Sequence, residues 1–131
     1  MSSEVQKARK RGKNLEYEVA KRLNGEVVGH SKAVELKDGR HVKVDPQHLP
    51  DVLSVFNLSV ECKNRKDLPK GVVNPMDQAK RNAPQGFKPI AWWYNSPDRT
   101  HYVIMESGTL EALLERLEWG RMEKDKNARS R

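Results

Sequence analysis

At 131 residues, 36% hydrophobic and 33% charged, the chain is long enough for one domain with a modest core, which a partner subunit would help to bury. The net charge of +7 favours a polyanionic partner, and with no long apolar run and the polar start Met1-Ser2-Ser3-Glu4 neither a membrane span nor a signal peptide is expected. A cytosolic protein is therefore expected, and the single Cys62 excludes an internal disulfide and a cysteine-built zinc site, leaving hard, oxygen-held metals.

The first thirteen residues set Lys7, Arg9, Lys10, Arg11 and Lys13 against Glu4. They read as a basic arm, disordered or laid along phosphates. Gly12 is expected to break the run and Asn14 to cap a helix from Leu15 to about Leu23. At 100° per residue, Leu15, Val19, Ala20 and Leu23 form one apolar arc, and Glu16 falls inside it. A carboxylate there needs a partner or a cation, or it sits at the rim and reaches water. Asn24-Gly25 ends the helix, and Glu26-Val27-Val28 reads as a short strand. His30-Ser31 follows, where the chain turns toward the active face. Residues 33–44 alternate weakly around Asp38-Gly39, a hairpin turn. With Lys32, Lys37, Arg40, His41 and Lys43 this segment is basic and poorly apolar. It is either a nucleic-acid contact or a mobile insertion.

Asp45-Pro46-Gln47-His48-Leu49-Pro50 is a loop that delivers Asp51. Residues 50–63 then read as a tight hairpin of two short strands around Phe56-Asn57. In the second strand Leu58, Val60 and Cys62 share one face, and Ser59, Glu61 and Lys63 the other. A three-residue turn places Asp51 on the face of Glu61 and Lys63; a two-residue turn places it on the opposite one. The chemical reading is a divalent-metal site with an adjacent lysine. The competing reading is a solvated strand face, where an acid and a lysine two residues apart are common.

Asn64-Arg65-Lys66-Asp67-Leu68-Pro69-Lys70-Gly71 is a second basic loop. Asn74-Pro75 starts a mostly polar helix that runs to about Asn82. Its Gln78, Lys80 and Arg81 face either phosphate or water. Residues 89–94 and 102–105 read as strands joined by a turn at 95–98. Trp92 and Trp93 must point to opposite faces, one of them into the core. Thr109 is expected to cap a last helix, from Leu110 to about Trp119, with Leu110, Leu113, Leu114 and Leu117 on one side. The tail after Gly120 is polar and basic.

This order of a helix with an inward acid, a strand, a hairpin with Asp then Glu-x-Lys, a helix, two strands and a helix resembles the PD-(D/E)xK nuclease superfamily. The resemblance covers roughly residues 12–105. It is nearest to the archaeal-type Holliday junction resolvases, which also occur in phages and archaeal viruses. The residues that carry it are Gly12-Lys13-Asn14-Leu15-Glu16-Tyr17-Glu18, Pro50-Asp51 and Val60-Glu61-Cys62-Lys63. The departures are Tyr17, where such resolvases often have arginine, the insertion at 32–48, and only a loose echo of the family's serine and basic residues in His30, Ser31 and Lys32.

The resemblance implies an α/β fold, a restriction-endonuclease-like mixed central β-sheet flanked by helices. It divides the chain into a basic arm at 1–13, a nuclease domain at 14–119 and a basic tail at 120–131. It implies catalytic roles for Glu16, Asp51, Glu61 and Lys63. Asp51, Glu61 and the Cys62 main-chain carbonyl would hold Mg²⁺ or Mn²⁺, with Glu16 binding directly or through water. Lys10, Arg11, Lys13, Ser31, Lys32, Arg65, Lys66, Gln78 and Arg81 would face DNA. The implied activity is Mg²⁺-dependent, paired, symmetric incision of a four-way junction by a homodimer, in the host cytoplasm if the chain is phage-encoded, leaving a 5′-phosphate and a 3′-hydroxyl. Two rivals remain: another nuclease of the superfamily acting on duplex, flap or single-stranded DNA, and a non-catalytic nucleic-acid-binding module.

Overall fold

The computed structural model describes residues 3–66 and 73–129; for residues 8, 73, 74 and 119–129 only the backbone course is considered. Among the described residues three helices, α1 (Ser3–Arg22), α2 (Val73–Asn82) and α3 (Ser107–Arg129), accompany seven strands. These are β1 (Gly25–Val27), β2 (Ala33–Glu35), β3 (His41–Lys43), β4 (Val52–Ser54), β5 (Leu58–Arg65), β6 (Lys88–Asn95) and β7 (Thr100–Met105). Five of them make a mixed sheet in the order β1-β4-β5-β6-β7, and β2 and β3 form a separate two-stranded sheet. β5 and β6 are parallel, joined through α2, and the other neighbours in the large sheet are antiparallel. The fold is thus mixed α/β, with helices flanking a five-stranded mixed sheet. Among the described residues no helix is long and apolar enough to cross a membrane.

One face of the sheet is covered by α1. Leu15, Val19 and Ala20 pack against Val52, Leu58, Val60, Ile90 and Trp92, and Leu113 of α3 joins the same cluster. Of the paired tryptophans it is Trp92 that enters this core. Its Nε1–H donates to His101 Nδ1 at 2.8 Å, which leaves Nε2 as the protonated ring nitrogen, 3.7 Å from Glu18. Trp93 points to the other face, beside Lys63 in the parallel register.

Several expectations are corrected here. α1 begins at Ser3 rather than at Asn14, so the basic segment is helical and continuous with the half of α1 that carries Glu16. A helix-interior glycine costs only about 1 kcal/mol relative to alanine, too little for Gly12 to stop a helix anchored by Leu15, Val19 and Ala20. α3 likewise runs through Gly120 to Arg129, and Thr109 lies in its first turn instead of capping it. Leu113 packs inward, but Leu110, Leu114 and Leu117 are exposed.

Segment 32–48, though poor in apolar residues, is packed against the sheet. Val34, Leu36 and Val44 are buried with Val28 and Leu53 in a second core, on the face opposite α1. The turn is the expected one: Gly39 has φ 92°, and its N–H donates to Leu36 O. Arg40 braces the hairpin. Its guanidinium bonds Asp38, Asn57 and the Val55 carbonyl, tying the β2–β3 hairpin to the β4–β5 turn.

Candidate metal centre

The geometry of the site starts from a turn. β4 and β5 pair as Val52↔Val60 and Leu53↔Ser59, so the connection holds Val55, Phe56 and Asn57 between Ser54 and Leu58. This is the three-residue form, with Asn57 in the left-handed region at φ 62°. Ser54 fixes it from within: its hydroxyl donates to Leu23 O at 2.8 Å and accepts Phe56 N–H at 3.1 Å. Continued past Val52, the register sets Asp51 against Glu61.

Asp51 also departs from the ladder. Its N–H donates to Val60 O at 3.1 Å, so Asp51 and Val52 both address Val60. Two residues facing one is a β-bulge, a device that re-aims a side chain. The Asp51 carboxylate turns back on β5 and accepts Cys62 N–H at 2.7 Å. The N–H and C=O of one strand residue point to the same edge. The Cys62 carbonyl is therefore directed to the Asp51 side, and neighbouring Pro50 has no N–H to offer it.

Three carboxylates meet through Asp51. Glu16 arrives from α1 and Glu61 from the opposite face of β5, and Asp51 lies within hydrogen-bonding reach of both. Burial, then the charge of Asp51, pushes the Glu16 carboxyl up to about 7, against a small opposing pull from Lys13. Burial and Asp51 push Glu61 up to about 8, countered by the Asn82 amide and Lys63. Burial and the same three acids raise the Cys62 thiol, which stays protonated and serves the core. The solvated-face reading of Glu61 and Lys63 does not hold for Glu61, which is 3% exposed, while Lys63 is half-buried.

The donor set is all oxygen: three carboxylates and a directed main-chain carbonyl, with one lysine alongside. That chemistry fits Mg²⁺ or Mn²⁺, because hard divalent cations take carboxylate and carbonyl oxygen and keep several waters. Among the described residues, no three His, Cys, Asp or Glu side chains already stand arranged as a metal cage. The carboxyl groups are linked through Asp51 rather than gathered on one point.

A residue the sequence did not single out completes the site. Asn82, the last residue of α2, donates its Nδ2–H to Glu61 Oε1 at 2.8 Å. An asparagine at a helix end looks like a terminator, and only the packing of α2 on β5 and β6 reveals its partner. Asn82→Ala removes a donor that favours ionised Glu61. The expected result is roughly a tenfold higher Mg²⁺ requirement, the usual cost of losing a group that orients a ligand, read by titrating Mg²⁺ against its thermal stabilisation of the protein.

The raised carboxyls also set a pH dependence. An acid whose folded pKa lies above its unfolded value favours the fold while protonated, and that advantage is lost as pH rises between the two values. For Glu61 the window runs from the ordinary carboxylate range to about 8. The metal-free protein should therefore melt several degrees lower at pH 8 than at pH 5. Mg²⁺ should recover most of that loss at pH 8 and little at pH 5. Glu61→Gln should flatten the profile, and an unchanged slope in that variant would contradict the assignment.

The anticipated DNA contacts fall into groups. Lys10, Arg11 and Lys13 are exposed on α1, and Lys13 lies close enough to influence Glu16. Arg65 and Lys66 are exposed at the end of β5, continuing from Lys63. Ser31 and Lys32 are exposed beyond β1, with no contact to the carboxylates among the described residues. Arg81 is exposed on α2, whereas Gln78 is half-buried. Lys80 is paired with Glu106 at 3.0 Å. Residues 67–71 of the second basic loop lie outside the described residues. Compared with known proteins, the chain matches no family model, no curated sequence and no solved structure.

Proposed function

We propose that the chain is a metal-dependent DNA endonuclease with a restriction-endonuclease-like fold, similar to the archaeal-type Holliday junction resolvases. The observation that carries this reading is the bulged Asp51, held on Cys62 N–H between Glu16 and Glu61, with Lys63 two residues further along the strand. A structural role alone gives no reason to set buried Glu61 and half-buried Glu16 and Asp51 side by side.

In this reading Asp51, Glu61, the Cys62 carbonyl and Glu16 hold the cation. Bound Mg²⁺ or Mn²⁺ supplies an acidified water and neutralises charge gathering on the phosphate. Lys63 orients the attacking water or stabilises the charge of the phosphorane-like transition state. Asn82 favours the ionised form of Glu61 and aims it. The lysines and arginines of α1 and of the β5 end clamp the backbone, giving affinity that falls with salt and carries little sequence information. Symmetric incision of a junction requires two sites, hence a two-fold homodimer.

The test is cleavage of an end-labelled four-way junction beside a matched duplex, with Mg²⁺ and with EDTA. Paired, metal-dependent cuts that spare the duplex are expected. Cuts on every substrate would keep the nuclease and discard junction selectivity. Binding with no cuts in Mg²⁺ or Mn²⁺ would leave a non-catalytic nucleic-acid-binding module.

A further inference from the structure

Next to Glu16 on α1 stands an aromatic ring that the fold does not use. Tyr17 is 64% exposed, although Leu15, Val19 and Ala20 on the same helix are buried. Its surroundings on the helix are cationic. Lys13 and Lys21 lie four residues to either side and Lys10 seven before, all exposed and all on the stripe that carries Tyr17. Lys13 also acts on Glu16, so this stripe borders the carboxylate site. The adjacent acid, Glu18, is taken up by Arg22 at 2.8 Å and does not neutralise the lysines.

We propose that Tyr17 is a stacking platform for an unpaired nucleobase beside the phosphate that is cut. The inference rests on the nuclease reading and adds to it the state of the DNA that the site selects. An exposed phenol ring offers a flat apolar face that any base can cover, and the flanking ammonium groups match the phosphates on either side of that base. In an intact duplex the bases are stacked on one another and none is free for Tyr17. At a branch point stacking is interrupted and a terminal base is more easily released from its pair, and in a single-stranded segment bases are already free. The ring therefore converts a sequence-blind basic surface into one that prefers interrupted DNA. The lysines argue against a protein partner here, because an apolar contact flanked by several like charges would have to desolvate them.

The test measures binding in EDTA, so that no DNA is cut. Wild type, Tyr17→Ala, Tyr17→Phe and Tyr17→Trp are titrated against a four-way junction with 2-aminopurine at the branch, and against a matched duplex. Tyr17→Ala should weaken junction binding about tenfold while leaving duplex binding within about twofold, the scale of one lost base stack. It should also abolish the change in 2-aminopurine fluorescence, which Phe and Trp should retain. Equal affinities for wild type and Tyr17→Ala on both DNAs would overturn the proposal. So would an equal loss on both, which would make Tyr17 a backbone contact, or a change in subunit number, which would make it a protein interface. Wild type that cuts junctions while Tyr17→Ala keeps its fluorescence change sinks the stacking site alone. Wild type that stacks the base yet cuts nothing in Mg²⁺ or Mn²⁺ sinks the nuclease and leaves the stacking site standing.

Discussion

Asp51→Asn should reduce junction cleavage by about a thousandfold or more, the rate equivalent of roughly 4 kcal/mol, while junction binding stays intact. Asp51 is the carboxylate that touches both of the others, so its loss removes the centre of the cation site. Asparagine preserves the shape and still presents an oxygen to the Cys62 N–H, so the bulge should survive. The basic residues that would hold DNA, Lys10, Arg11, Lys13, Arg65 and Lys66, are untouched, and one fewer negative charge near the phosphate favours binding slightly. A second readout is independent of activity. Without Asp51 the charge that helps to raise Glu16 and Glu61 is gone, so both carboxyls should ionise at lower pH. The metal-free variant should then melt higher than wild type at pH 8 and respond less to Mg²⁺. A variant that cuts normally would mean that the site has been misassigned. One that neither cuts nor binds would point to a disturbed fold, which its melting curve would show.

Lys63→Ala should lower the cleavage rate about 10²–10³-fold, the scale seen when one charge-stabilising donor is removed from a transition state. The ammonium lies on the Glu61 face of β5 and helps to keep that carboxyl ionised. Two effects then add: the developing phosphate charge loses a partner, and Glu61 is pushed still higher. The second effect is separable, because raising the pH should restore Glu61 but not the missing donor. The deficit should therefore shrink at high pH without closing. Lys63→Arg should recover only part of the rate, since a planar guanidinium does not occupy the position of a compact ammonium. The Mg²⁺-induced rise in melting temperature should persist in Lys63→Ala, which separates loss of chemistry from loss of metal. Cleavage within about threefold of wild type would remove Lys63 from the mechanism.

The sequence by itself determined the elements whose cause is local. Period-two alternation in 58–63 defined β5 and separated Cys62 from Glu61 and Lys63. The 3.6-residue arc of Leu15, Val19 and Ala20 identified the buried stripe of α1, and Glu16 within that arc is half-buried. Asp38-Gly39 marked the β2–β3 turn, because the left-handed Gly39 is a property of that residue alone. The C-terminal ends of α1 and α2, expected near Leu23 and Asn82, were legible, but the start of α1 and the end of α3 were not. Whether Gly12 or Gly120 interrupts a helix depends on an energy of about 1 kcal/mol set against the rest of the helix. The fate of segment 32–48 was hidden for a related reason. Val34, Leu36 and Val44 are too sparse to look like a core until Val28 and Leu53 meet them from elsewhere in the chain.

Only the tertiary structure decided the site. The hairpin pattern allowed Asp51 on either face, and a three-residue turn with a bulge was needed to bring it between Glu16 and Glu61. The contact of Asn82 with Glu61 spans 21 residues and depends on how α2 packs, which no local pattern encodes. Sequence periodicity records which way a side chain points from its own backbone. Which groups share a low-dielectric space, and so which carboxyls are raised and which cation they could hold, is decided when distant segments exclude water together.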